Sequence, residues 1–296
     1  MFHICWTMDC ESCHPGVNDP DLGRRAVRGF TDVLNQFNWK ASLFSIPEEV
    51  APLEHEFKVA LEHGHEIGLH THPLASGEPV DFLGAFSFDA QVKILRKGLE
   101  KIKILLGKEP VSFRPGYASA NDSTFPALAE CGIRQCSASM PGRMMSNLAS
   151  NWAGAPLFVH YAHSSNRFLT GSMDLVELPI SVDWESLIWG GRHPQDLRIE
   201  FTDAKNHSFL IRKIMRRQIE EKLPFCALVI LTHNLFHYDD PANFRRETML
   251  GMIESIRMYA DEFGVETAGI TIGEAARAFR ETVPIAPEIA PDRSAY

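Results

Sequence analysis

The run Cys226-Ala227-Leu228-Val229-Ile230-Leu231 holds six apolar residues with no polar alternate. A strand of that kind must be covered on both faces, which is the condition of a parallel sheet sandwiched by helices. The rest of the chain agrees. Strand signals at 3–8, 41–46, 66–70, 111–114, 133–137, 175–182, 226–231 and 265–271 are separated by stretches of helical period, at 22–37, 52–62, 88–106, 122–131, 201–223 and 244–263, with a short helix following at 274–279. The clearest helix, 88–106, buries Val92, Leu95, Leu99, Ile102 and Leu106 on one stripe and stops at Gly107. Alternating strand and helix predicts an α/β fold with a parallel sheet. Only 140–170, rich in Gly, Pro, Asn and Ser, lacks a period, and it reads as a long excursion walling a pocket.

In such folds functional side chains gather beyond the C-terminal ends of the strands. The sequence places chemistry at four of those ends. Asp9 and Glu11 follow the first strand, His70 and His72 close the third, Arg114 and Tyr117 close another, and His233 ends the apolar run. Residues two apart on a strand face the same way, so His70 and His72 can converge on one ion. Asp183 and Trp184 follow the 175–182 segment, and an indole face there could wall a ligand pocket or pack in the core.

Composition limits the partners. A formal net charge of −9 without a dense Lys/Arg block argues against nucleic acid. No apolar run approaches the roughly 20 residues that span a bilayer. The start, Met1 to Trp6, has no basic segment and Met8-Asp9 breaks its apolar character, so no signal peptide is read and a cytoplasmic location is expected. Six cysteines in a chain of 296 residues fit reduced thiols, and the Cys10-x-x-Cys13 pair, without a second such pair, reads as two small residues in a strand-end loop rather than a redox or zinc-binding pair.

With those residues in order, the chain resembles the polysaccharide deacetylase family, the NodB-homology domain of carbohydrate esterase family four. Thr7-Met8-Asp9-Cys10-Glu11, Lys40-Ala41-Ser42-Leu43-Phe44, the run from Gly64 to Pro73, Phe113-Arg114-Pro115-Gly116-Tyr117 and Leu231-Thr232-His233 stand where that family has its motifs and flanking strands. The resemblance implies a distorted (β/α) barrel, with residues 1–283 as one catalytic domain and 284–296 as a Pro-rich tail. It implies metal-dependent removal of an N-acetyl group from an amino sugar. Asp9 would be the base, Arg114 would orient it, and His233 would be the acid. Glu11, His70 and His72 would hold one divalent ion, zinc first, with cobalt, nickel or manganese as alternatives. Tyr117 and Trp184 would contact the substrate, a small or oligosaccharide amino sugar such as a surface-polysaccharide precursor. The oligomeric state is left open.

Two positions depart from the family pattern. Cys10 replaces the second Asp of its first motif, so Glu11 is taken as the ligand, with a Cys10 thiolate as the alternative. Leu74 stands where the family's second ligating His lies, so His72 is taken instead, with His14, His163 and His237 in reserve. The scaffold also admits hydrolysis of another amide or ureide, as in allantoinase-like relatives, or a non-catalytic carbohydrate-binding role.

Overall fold

In a computed structural model, which describes residues 1–188 and 193–286, the apolar run forms the strand at one end of the main sheet and is buried from Ala227 to Thr232. The strands are β1 (Phe2–Cys10), β2 (Ala41–Ser45), β3 (Glu66–Thr71), β4 (Ser112–Pro115), β5 (Gln135–Cys136), β6 (Met144–Met145), β7 (Ser150–Asn151), β8 (His160–Tyr161), β9 (Val176–Glu177), β10 (Val182–Ile188), β11 (His193–Asp196), β12 (Cys226–His233) and β13 (Thr267–Gly269). The helices are α1 (Pro20–Gln36), α2 (Glu54–Glu62), α3 (Phe88–Leu106), α4 (Thr124–Glu130), α5 (Ala204–Glu220), α6 (Phe244–Phe263) and α7 (Ile272–Thr282). The main sheet runs β12-β1-β2-β3-β4-β5-β9-β8, parallel throughout except for β8. β1 pairs with β12 from Phe2↔Cys226 to Asp9↔His233, and its other edge serves β13 below and β2 above.

This sheet curls into the distorted barrel that the strand–helix alternation and the resemblance imply. Its ends meet through the chain after β9. Leu178 N–H still donates to Cys136 O of β5 at 2.8 Å, but Ser181 N–H donates to Val229 O of β12 at 3.1 Å. The segment 175–182, expected as one strand, is therefore a crossing from one end of the sheet to the other. Val182 then opens a hairpin, β10 with β11, that the sequence does not announce.

Strand alternation sorts β1 by face. Thr7 and Asp9 point into the barrel, where both meet Arg114, while Met8 and Cys10 are fully buried on the other side. The same alternation in β3 turns Glu66, Gly68 and His70 inward. At the floor of the barrel Ser42 Oγ donates to Glu66 at 2.6 Å and Gly273 N–H at 3.1 Å, so the buried carboxylate is compensated. Gly68 lies where any Cβ would come within 2.6 Å of the Phe44 ring, and that ring underlies the Arg114 guanidinium, 4.6 Å from its centroid. Residues 284–286 follow α7 without regular structure, and the rest of the expected tail, 287–296, is outside the described residues. No described helix is long and apolar enough to cross a membrane.

Candidate metal and catalytic site

Four strand ends bring their residues to one cleft of about 140 Å³, lined by Asp9, Glu11, His70, His72, Arg114, Tyr117 and His233 among others. His72 Nε2 lies 2.8 Å from Glu11 Oε2, and His70 Nε2 lies 3.5 Å from the same oxygen. The other nitrogen of each ring is committed elsewhere. His70 Nδ1–H donates to Arg114 O at 2.9 Å, and His72 Nδ1–H donates to Asp81 Oδ2 at 2.9 Å. Those bonds fix the tautomers and aim both Nε2 lone pairs at Glu11, as ligating imidazoles are aimed. His72 Nε2 is buried with no hydrogen-bond partner. Two imidazole nitrogens and a carboxylate oxygen, close together and one of them orphaned, suit a divalent ion of the zinc type.

The electrostatics favour a cation there. Burial alone would raise the Glu11 carboxyl, but the close His70 and His72 rings and the charge of His233 hold it well below the usual carboxylate range. Burial pulls His72 down, yet the Asp81 and Glu11 carboxylates outweigh it and raise the ring to about 9.

Beside this trio, Arg114 is buried with every nitrogen occupied. Nη1 donates to Asp9 Oδ1 at 2.9 Å and to Thr7 Oγ1 at 2.7 Å, Nη2 to Ser137 Oγ at 2.8 Å, and Nε to Ser137 O at 3.1 Å. The guanidinium thus grips one oxygen of Asp9 and leaves Oδ2 toward the ligands, 4.0 Å from His70 Nε2. Opposite, His233 Nδ1 is hydrogen-bonded to Glu200, and its Nε2 faces the cleft, 3.9 Å from Glu11 Oε1. Burial lowers this ring's pKa, but the Glu200 carboxylate more than offsets it and leaves the ring above its ordinary value.

Several supports were not among the expected residues. Asp81, on the loop after His72, also accepts from His14 Nε2 at 3.0 Å, and the His14 ring lies edge-on to His72 with centroids 4.8 Å apart, so His14, a reserve ligand, joins His72 and Asp81 in a second group of ligand atoms beside the first. Glu200 stands on a short turn before α5. Asn234 accepts the Glu11 N–H at 2.9 Å, and Glu49 receives Ser12 Oγ at 2.6 Å, so the Asp9–Ser12 turn is fixed from two sides. Gly116 leaves the space that His72 fills, since a Cβ there would be 2.5 Å from Nε2.

The remaining expectations divide. Tyr117 is 40 % exposed at the cleft, its ring edge-on to His72, with its backbone and that of Ala118 in the left-handed region at φ 59° and 52°. Trp184 is 58 % exposed on β10 and does not line the cleft. Its neighbour Asp183 is the residue turned inward, bound by Lys213 Nζ at 2.7 Å, and alternation then sends the indole outward. Cys10 points away from the ions' side of the strand, and burial raises its thiol well above the ordinary value, so no thiolate is offered. His163 and His237 do not line the cleft. The excursion 140–170 supplies Met140 and Arg143 to the wall, whereas Trp152 is buried and donates from Nε1 to Ala118 O at 2.7 Å, bracing the Tyr117 turn.

Residues 18–136 match the sequence profile of the family Polysaccharide deacetylase. That stretch includes His70, His72 and Arg114 and stops short of Asp9, Glu11 and His233. No curated protein matches the chain. Among solved structures, one described as a polysaccharide deacetylase from Mycobacterium smegmatis is 18 % identical with a TM-score of 0.63, over 97 % of this chain and 93 % of that one. One similarly described from Pseudomonas aeruginosa PAO1 is 12 % identical, TM-score 0.63, over 96 % and 93 %. The Puue allantoinase is 11 % identical, TM-score 0.65, over 96 % and 92 %. The chain therefore carries a polysaccharide deacetylase family match in residues 18–136, set in a barrel that proteins described as polysaccharide deacetylases share over nearly its whole length.

Proposed function

We propose that this protein is a metal-dependent hydrolase that removes an N-acetyl group from an amino sugar. One observation carries the reading. The Nε2 atoms of His70 and His72 and a Glu11 oxygen converge at a single point, with an arginine-held aspartate on one side and a glutamate-held histidine on the other. Glu11, His70 and His72 would hold a divalent ion, zinc being the best match to two imidazoles and a carboxylate. When bound, that ion acidifies water and polarises an amide carbonyl.

Asp9 is the base in this scheme. Its Oδ1 is tied to Arg114, which fixes the carboxylate plane and leaves Oδ2 to take a proton from the attacking water. The water oxygen adds to the carbonyl carbon, and the backbone of the Tyr117 turn faces the oxygen that becomes negative. His233, oriented through Nδ1 by Glu200, gives its Nε2 proton to the departing nitrogen as the C–N bond breaks. Acetate and the free amine leave, and the proton taken by Asp9 returns through solvent. Tyr117, exposed and aromatic at the rim, offers a face to the sugar ring. Trp184 takes no part.

The test joins metal and turnover. The purified protein, given one equivalent of zinc, should retain about one ion per chain through dialysis and release acetate from N-acetylated amino sugars. His72→Ala should lose metal and activity together. Full metal content in that variant would discard the ligand set, and no acetate from any N-acetyl sugar, with ammonia or urea released from ureides instead, would discard the substrate class.

A further inference from the structure

The catalytic cleft shares a wall with a second cavity of about 290 Å³, and Met140, Arg143 and Arg198 belong to both. Two guanidiniums stand at that wall with poor partners. Arg143 directs Nη1 at Met140 Sδ (2.8 Å) and its Nε and Nη2 at Met145 Sδ (3.2 and 3.1 Å). Arg198 Nη2 reaches the same Met140 sulfur at 3.6 Å, and its Nε is buried with no hydrogen-bond partner. Its guanidinium also lies over Phe201, 4.2 Å from the ring centroid.

A thioether is a weak acceptor, so neither cation regains what it lost on leaving water. The one carboxylate lining the second cavity among the described residues is Asp196. Its Oδ1 lies 3.8 Å from Arg198 Nε, beyond hydrogen-bond length, and is itself buried without a partner. Two guanidiniums against one ill-placed carboxylate leave the wall with excess positive charge. Arg143 registers this: burial and then the neighbouring Arg198 bring its pKa down to about 10, with Asp196 opposing. Packing alone does not call for such an arrangement, since a longer apolar side chain would meet the sulfurs at less cost.

We infer that the substrate carries an oxyanion, a carboxylate or a phosphate, next to the amide that is cleaved, and that Arg143 and Arg198 bind it together. The inference rests on the hydrolase reading above and names the substrate class for it. An oxyanion accepts from two guanidinium forks where a thioether cannot, and it neutralises the excess charge. Because both arginines also line the cleft that holds Asp9 and His233, the anion lies within one small molecule's reach of the reacting bond.

Calorimetric titration of the zinc-loaded full chain, read from the binding heats of the first injections, tests this independently of acetate yield. Two matched pairs serve as probes: N-acetylmuramic acid against its carboxamide, and N-acetylglucosamine 6-phosphate against N-acetylglucosamine. The charged member of one pair should bind at least about tenfold more tightly than its neutral partner, and which pair does so separates carboxylate from phosphate. That ratio should collapse in Arg143→Gln and in Arg198→Gln, while Arg143→Lys keeps part of it. Equal binding within both pairs, no binding of either charged probe at millimolar concentration, or a ratio that survives in both glutamine variants would overturn the inference. The wild-type ratio needs no variant to fold. Charge preference without acetate release would retire the deacetylase reading and keep the subsite; acetate release without charge preference would do the reverse.

Discussion

Asp9 and His233 are cross-strand neighbours, paired in register at the ends of β1 and β12, and the proposed reaction gives them opposite tasks. An arginine fixes the first as an acceptor, and a glutamate fixes the second as a donor. Asp9→Asn keeps the Arg114 bond at Oδ1 but replaces the basic oxygen with an amide. Acetate release should fall by at least about 10²-fold while zinc content stays at the wild-type level, and an almost fully active Asp9→Asn would remove Asp9 from the role of base. Glu200→Gln tests the other side. Glu200 raises the His233 pKa, so its removal lowers it. An acid works only while protonated, and activity is lost as pH rises through its pKa. The alkaline limb of the pH–rate profile should therefore move to lower pH in Glu200→Gln, and an unmoved limb would mean that His233 does not donate the proton. Residue type made Asp9, His70, His72, Arg114 and His233 legible in the sequence, because each stands at the end of a strand. Asp81 and Glu200 were not legible. A ligating or proton-donating imidazole needs a partner for its other nitrogen, but that partner can come from any loop. Asp81 sits in an aperiodic stretch, and Glu200 lies just before the helix expected over 201–223, where no strand end or motif marks it.

At the scale of elements, periodicity performed best where one face alone is buried. The bounds of α3 and α6 fall where the apolar stripes begin and end. It failed where backbone hydrogen bonds change partner midway, as in 175–182, since a crossing segment is as apolar as a strand. Trp184 was misplaced for the same reason: the β10–β11 hairpin, whose register shifts between Asp183 and Leu187, decides which way the indole turns. The junction of β4 with the turn after it is the most tightly fitted part of the site. Gly116→Ala places a methyl carbon against His72 Nε2, and neither Asp81 nor Glu11 leaves the ring room to retreat. Zinc retention after dialysis should drop by at least about tenfold in this variant, as for loss of an outer support. Circular dichroism should remain that of the parent, and wild-type zinc content would show that His72 can ligate from another position.

For the whole molecule, acid sensitivity should enter through a histidine far from the cleft. His65 Nδ1 accepts the Ala41 N–H at 2.9 Å, and its Nε2–H donates to Asn35 Oδ1 at 3.1 Å, joining the roots of β2 and β3 to α1. An acceptor nitrogen cannot also carry a proton, and burial, with His63 and Lys40 adding to it, lowers the ring to about 4 from 6.5. The unfolded chain therefore binds the proton first as pH falls. The stabilisation is complete above pH 6.5 and is lost progressively down to about 4, amounting to at most roughly 3 kcal/mol. Urea midpoints measured for the metal-free protein across that range should fall toward acid, and His65→Gln should flatten the fall. An equally steep fall in the variant would assign the acid sensitivity to other groups.

The placement of β1 between β12 and β2 has a kinetic meaning as well. β1 leaves the ribosome more than 200 residues ahead of β12, and Asp9 meets His233 only when that later strand docks. Until β12 docks, β1 offers an open apolar edge, and no nascent chain that stops short of His233 can complete the proposed pair. If the proposed reaction holds, its two groups come together only when the last large strand closes the sheet, and until then the open edge of β1 is exposed to aggregation.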